Sequence, residues 1–293
     1  MDEVALHLPV EQWDGPFSPD MQAKALTALE AGRVIVFSQL PFTLREPERR
    51  LLSDSVSDNT RKNISFDPAS RTVHGTSLAG QEMTQLSAML DRFGQQSEAL
   101  IRNLFPRYAP TLERARTSFR PAEISGRAAA PRKDDKRLHV DAFPTRPMRG
   151  RRILRVFTNI APDSTPRVWR VGEPFPEFAA KFFPRLHRNI PGQGWIMAQF
   201  GLTKGRRAPY DFLMLGLHDS GKMDTDYQST APATEITFSP GTTWLCFSDT
   251  VLHAAIAGRC ALEQTFHIPI EAMATPEFAP LRVLESLAGR PLT

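Results

Sequence analysis

The chain has 293 residues, 41% of them hydrophobic and 23% charged, with a formal net charge of +4. That length can bury a large core, and the composition excludes a disordered, fibrous or membrane-spanning chain. The charge excess is local, concentrated between Arg114 and Arg170, where it would draw an anionic partner.

The 25 prolines favour turns and strand edges over long helical bundles. Met1-Asp2-Glu3 at the start carries acids where a signal peptide would carry bases, so no secretory leader is expected. Cys246 and Cys260 both lie in apolar, strand-like text. They read as two buried thiols of a reducing, cytoplasmic compartment.

Ser18-Pro19 opens a capped helix that runs to Ala31 and stops at Gly32. Arg33–Phe37 reads as a buried strand. Leu44–Ser53 reads as a short helix broken by Pro47, and 55–77 as irregular, with Asn63–Phe66 an edge strand. Ala79, Met83, Leu86, Leu90, Phe93, Ser97 and Leu104 recur at helical spacing. They predict a long amphipathic helix, ending before Pro106, laid on the outside of a sheet.

From Thr117 the text turns to short strands: Ser118–Pro121, Leu138–Asp141, Ile153–Ile160 and Arg167–Val171. A helix marked by Phe175, Phe178 and Phe182 ends near Pro184. Tyr210–Leu217 is compatible with helix or strand, with Asp211 a possible cap. Strands resume at Glu235–Phe238, Thr243–Phe247, Leu252–Ile256 and Gln264–Ile268, with a type II turn at Ser239-Pro240-Gly241 and a closing helix at Arg282–Leu287. The expectation is one domain over 1–293. Its elements 1–115 pack on a jelly-roll core, 116–270, and a C-terminal helix lies within 274–289. The fold class is mainly β with flanking helices, a double-stranded β-helix (jelly-roll, cupin-like) barrel.

His139-x-Asp141 places an imidazole and a carboxylate on one face of a strand end, and His253 is the distant third candidate. Two His and one carboxylate on one face form the ligand set of non-haem Fe(II) oxygenases. A lone buried imidazole must be paired or ligated. Arg137 beside the pair offers an outer charge. His218-Asp219 with Asp224 and Asp226 reads as a polar loop, and His267 as a core histidine.

Together Arg137–Phe143, Arg152–Asn159, Pro166–Glu173 and Leu262–Phe266 resemble the Fe(II)/2-oxoglutarate-dependent dioxygenases. Within them they resemble the hydroxylases that act at the 3-position of 3-deoxy-manno-octulosonic acid (Kdo) in lipopolysaccharide. The resemblance spans about half the chain, from Arg120 to Pro269. It implies Fe(II) held by His139, Asp141 and His253, with 2-oxoglutarate as cosubstrate and O2 as oxidant. Succinate and CO2 are the coproducts, and ascorbate supports activity.

The distal carboxylate of 2-oxoglutarate calls for an arginine fork. Arg155 ranks first, because Ile153, Arg155, Phe157 and Asn159 share one strand face and an arginine there needs an anion. Arg120 and then Arg259 follow, and Asn159, on the same face as Arg155, is a further cosubstrate-binding candidate. Arg127, Arg146, Trp169 and Arg170 are the candidate substrate contacts. The implied substrate is a Kdo-lipid A glycolipid, met by a peripheral enzyme at the cytoplasmic face of the inner membrane through its basic surface. No nucleic-acid partner is expected. The alternatives are the same oxygenase chemistry on another anionic substrate (protein or nucleic acid), a non-catalytic basic barrel binding acidic lipids or glycans, and a cupin-like metal protein without a cosubstrate.

Overall fold

The computed structural model describes residues 4–186 and 205–293. Two antiparallel-rich sheets face each other. The larger contains β1 (Ala5–His7), β2 (Val34–Phe37), β3 (Ile64–Asp67), β4 (Thr72–His74), β5 (Glu113–Arg120), β6 (Arg152–Asn159), β9 (Thr243–Phe247) and β11 (Ala261–Ile268). They run in the order β1-β2-β9-β6-β11-β5-β3-β4. The smaller sheet has β7 (Arg167–Val171) between β10 (His253–Ala257) and β8 (Thr234–Phe238).

Strand alternation explains what lies on each side. On β6, Leu154 and Val156 face the helices while Phe157 faces the smaller sheet. Phe157 and Trp244 of the large sheet meet Trp169 and Phe238 of the small one. Phe238 stacks on Trp244 at 4.0 Å between ring centroids, and Trp169 meets Phe157 edge-on at 4.9 Å. These aromatic contacts hold the sheets face to face. The turn Ser239-Pro240-Gly241 joins β8 to β9, with Thr242 N donating to Ser239 O at 3.0 Å and Gly241 at φ 86°, the type II geometry.

Two helices cover the outer face of the large sheet. In α1 (Pro19–Glu30), Ser18 Oγ accepts from Met21 N at 3.2 Å and Pro19 opens the first turn. In α2 (Gly80–Leu104), Leu86, Met89, Leu90, Phe93, Leu100, Ile101 and Leu104 are all fully buried. Each such side chain contributes about 1.5–3 kcal/mol of burial. The other helices are α3 (Phe175–Phe182), α4 (Pro209–Met223), α5 (Thr225–Thr230) and α6 (Pro280–Ala288). The first two and α6 share a second core with Leu138, Val140 and Leu252.

Several local expectations change. Leu138–Asp141 is not a strand but a run joined to β10 by one isolated bridge, His139 to His253. The stretch 44–53 is a tight 3-10 turn, Glu46–Leu51, that Pro47 opens rather than breaks. Residues 64–74 form a β-hairpin whose outer strand is β4, so β3 is not at the edge. His218 and Asp219 lie within α4, and Asp224 caps α5 by accepting from Tyr227 N at 2.9 Å. Tyr210–Leu217 is helical, with Asp211 Oδ2 accepting from Ala208 N at 2.8 Å. Strand β1, parallel to β2, was not expected.

Candidate metal centre

The bridge between His139 and His253 builds the site. His139 N donates to His253 O at 3.0 Å and His253 N returns a bond to His139 O at 2.9 Å. Asp141 N donates to Ser248 O at 2.8 Å, which extends the run beside the loop that leads into β10. Leu138 and Val140 are buried in the helical core, so alternation turns His139 and Asp141 the other way, into the space between the sheets. One ligand atom from each of His139, Asp141 and His253 lies within 4.8 Å of the others.

Both imidazoles are set as metal ligands would be. His139 Nδ1 lies 2.7 Å from Arg137 O, and His253 Nδ1 lies 2.8 Å from Val251 O. A carbonyl only accepts, so each Nδ1 carries the proton and each Nε2 keeps a lone pair. Burial lowers both imidazole pKa values, and the mutual proximity of the two rings and the Lys222 ammonium lower that of His139 further. Burial opposes ionisation of Asp141, but the Arg155 guanidinium leads a set of neighbours that together outweigh it and hold the carboxyl well below the usual carboxylate range. Asp141 Oδ1 is 4.0 Å from His139 Nε2. Oδ2 sits 3.1 Å from Arg155 Nε, too poorly aligned for a hydrogen bond, so both atoms remain unsatisfied. Two neutral nitrogen acceptors and a carboxylate converge where a cation fits the donor set. Trp169 stacks on His253 at 4.9 Å and His218 meets His139 edge-on at 5.5 Å, which fixes both rings.

Beyond the triad lies a chamber lined by Arg120, Arg155, Arg167, Asp135 and Glu263. Arg155 Nη1 pairs with Glu263 Oε1 at 2.9 Å. Arg120 pairs with Asp135 and lies 3.7 Å from Glu263 Oε2. Asp135 also pairs with Lys62 and lies 3.8 Å from Lys222. Arg167 differs. It is 4% exposed, it donates from Nη1 to Gly258 O at 2.9 Å, and its Nε has no hydrogen-bond partner. Among the described residues no carboxylate forms an ion pair with it. Burial and then the charge of Arg120 lower its pKa to about 9. Gly258, at φ 105°, lets this turn close on β7; a Cβ there would meet Pro166 O at 2.7 Å.

A family model for 3-deoxy-D-manno-oct-2-ulosonic acid (Kdo) hydroxylase matches residues 12–291. The chain belongs to the Kdo hydroxylase family. Among solved structures it is similar to the Kdo hydroxylase KdoO, a non-haem Fe(II) α-ketoglutarate-dependent dioxygenase, in complex with α-ketoglutarate and Fe(III). The two are 43% identical, the match covers 99% of this chain and 97% of that one, and the TM-score is 0.95. The cobalt(II) complex of KdoO matches at 44% identity over 98% and 97%, and apo KdoO at 44% over 99% and 97%, both with a TM-score of 0.95. No curated protein sequence matches the chain.

In this member of the family, Arg155 and Arg120 line the chamber, as their strand faces suggested, but both are engaged by acids. Arg259 does not reach it: it is half-exposed and pairs with Asp163 at 2.7 Å. Asn159 is buried, but its amide is spent on Thr165 O, Phe238 O and Ala161 N. Trp169 is 2% exposed and belongs to the inter-sheet core rather than an open sugar platform. Arg170 follows it on β7 and so projects from the opposite face. Arg146 lines an outer groove and pairs with Glu113 at 2.9 Å; Arg127 is exposed on a second groove.

Arg167, Glu263, Asp135 and Gln228 were missed. Alternation carried a signal for Arg167, which shares a strand face with Trp169. Gln228 had none. Its Oε1 accepts from Leu138 N at 2.8 Å and its Nε2 donates to Leu138 O at 2.9 Å, so one side chain does for the His139 run what a neighbouring strand would do.

Proposed function

We propose that this chain hydroxylates Kdo at its 3-position in a Kdo-lipid A glycolipid, using Fe(II), 2-oxoglutarate and O2. Membership of the Kdo hydroxylase family establishes the enzyme class. The observation that carries the reading to particular residues is the convergence of His139 and His253, each with its Nδ1 committed to a carbonyl, on Asp141. These three would hold the metal.

Charge balance supports the cosubstrate. Arg120, Arg155 and Arg167 face Asp135, Asp141 and Glu263 in one chamber, three cations against three anions. Lys62 and Lys222 beside Asp135 add to the positive side, so a divalent metal increases a positive excess that a dicarboxylate offsets. Arg167 would take the distal carboxylate, because among the described residues it alone of the three forms no ion pair. Arg120 and Arg155 would steady it from either side. Bound Fe(II) and 2-oxoglutarate supply the oxidising chemistry, with succinate and CO2 as coproducts.

The chain's own residues orient and shield. Trp169 and Phe157 close the inner side of the chamber against water. A groove of about 390 Å3 leads outward over Asp141 and Phe143, walled by Asn63, Ser118, Thr265 and His267. Hydroxyl and amide groups beside an aromatic edge suit a polyhydroxylated sugar. Arg116 and Arg146 at its rim suit the sugar's carboxylate. No described helix is long and apolar enough to cross a membrane. The reading is of a single working unit over 1–293 that meets its glycolipid peripherally, by basic residues, at the cytoplasmic membrane face.

The test is succinate release from 2-oxoglutarate with Fe(II) and ascorbate under air, with and without a Kdo-lipid A precursor. The expected result is succinate that rises with the glycolipid, together with a glycolipid product heavier by one oxygen. Succinate that is indifferent to the glycolipid would remove Kdo-lipid as substrate. A folded, iron-loaded sample that gives none would leave a basic barrel that only binds.

A further inference from the structure

A second groove, of about 260 Å3, lies across Arg120 and Asp135 from the chamber. It runs between the 59–63 turn and the 122–136 loop. Arg120 and Asp135 belong to both chamber and groove, so the two spaces share one wall. Arg61, Lys62, Arg127, Lys133 and Lys136 face the groove with Arg120, against Asp134 and Asp135.

The cations are unequally committed. Lys62 and Arg120 pair with Asp135. The Lys136 ammonium donates to Arg127 O at 2.7 Å. Asp134 accepts from the Lys136 backbone at 3.0 Å. Arg61, Arg127 and Lys133 have no ion pair with any acid among the described residues and are exposed. Arg61 feels the nearby Asp58 carboxylate, but with Arg127 and Lys133 it still forms a positive stretch along a concave wall that an anion would offset.

The loop is also held in place. Asp135 O accepts from Ala255 N of β10 at 2.8 Å, Lys133 O accepts from Lys62 at 3.0 Å, and Glu123 Oε1 accepts from Gly258 N at 2.7 Å. These bonds fix the loop backbone from which Arg127 and Lys133 project, so a ligand need not order that backbone.

We infer that this groove is a second oxyanion site, separate from the chamber, that seats a phosphate or carboxylate on the unit next to the reacting sugar. The inference rests on the glycolipid reading above and deepens it: recognition extends past the sugar that is oxidised to a second charged group of the same molecule.

The test is steady-state hydroxylation by the iron-loaded enzyme and by an Arg61→Gln/Arg127→Gln/Lys133→Gln variant, at saturating 2-oxoglutarate. The substrates are a Kdo-lipid A precursor, the same lipid with its phosphates removed, and a derivative of it without any carboxylate other than that of the reacting sugar. The expected result is a KM for the intact lipid raised on the order of tenfold in the variant, with kcat retained. The wild type should show the same rise when one anionic group is deleted, and the variant should be indifferent to that deletion. Whichever deletion behaves so names the seated group.

A variant KM within twofold of wild type on the intact lipid would overturn the inference. So would a variant that still discriminates both truncated lipids as the wild type does. A wild type that fails to hydroxylate the intact lipid is a different failure, of the substrate reading itself.

Discussion

Replacing Gln228 with alanine should loosen the metal centre without touching a ligand. The Gln228 amide makes three bonds: Oε1 from Leu138 N at 2.8 Å, and Nε2 to Leu138 O at 2.9 Å and to Gly221 O at 2.8 Å. Leu138 is fully buried and immediately precedes His139. Truncation leaves the backbone N–H and C=O of Leu138 without their partners. A buried group left unpaired costs about 1–3 kcal/mol, and a solvated one about half that. Gln228 is itself half-buried, so water reaches part of the vacated space and the loss should be about 2–4 kcal/mol. Because the lost bonds fix the backbone that carries His139, metal affinity should fall about 10–100-fold, the usual effect of removing an outer partner of a metal ligand. Calorimetric titration with Co(II), well below the unfolding temperature, reads the affinity, and urea unfolding of the apo protein reads the stability. Gln228→Glu should not rescue, because it keeps the acceptor for Leu138 N but turns a carboxylate toward two carbonyls. A folded Gln228→Ala protein with Co(II) affinity within twofold of wild type would refute the reasoning.

Arg167→Met should move stability and function in opposite directions. It removes a buried cation that forms no ion pair among the described residues, so the apo protein should melt at a higher temperature, while the KM for 2-oxoglutarate rises about 10–100-fold. Arg259→Gln should leave that KM unchanged, since Arg259 sits at the surface beside Asp163. His267 is 1% exposed, and burial, then Arg146, lowers its pKa from 6.5 to about 4. The unfolded chain takes up the proton first, so His267 contributes stability above pH 6.5 that is lost as pH falls toward 4, amounting to about 3 kcal/mol. Urea midpoints of His267→Gln across that window should show a shallower acid slope than wild type. Arg152 is fully buried and forked onto Asp249, with Nε 2.9 Å from Oδ2 and Nη2 3.1 Å from Oδ1. Arg152→Met strands that carboxylate and should cost about 3–5 kcal/mol in urea unfolding, most of it recovered by Arg152→Met/Asp249→Leu.

Local chemistry was legible in the residues alone wherever the cause was local. The Ser18-Pro19 start, the α2 stripe, the Pro240-Gly241 turn and the alternation on β6 each depend on neighbours a few positions away, and each is present in the structure. The strings around His139, Arg155, Trp169 and Glu263 pointed to the family that the chain belongs to. Pairing across long separations was not legible. Nothing near Arg155 in the chain says that Glu263 and Asp141 engage it, nor that Asn159 is wholly spent on backbone. Arg167 and Arg259 look alike as text; one is buried with no ion pair among the described residues and the other is paired at the surface, because burial and ion pairing are set by which strands the sheet brings together. Gln228 is the plainest case. An amide on a short helix replaces a missing strand beside His139, and only the packed fold decides that Leu138 lacks a neighbour there. By itself the sequence determined the elements, the candidate ligands and their family, since these rest on residue type and near spacing. The tertiary structure alone decided which charges are satisfied, because that depends on distances between groups remote along the chain.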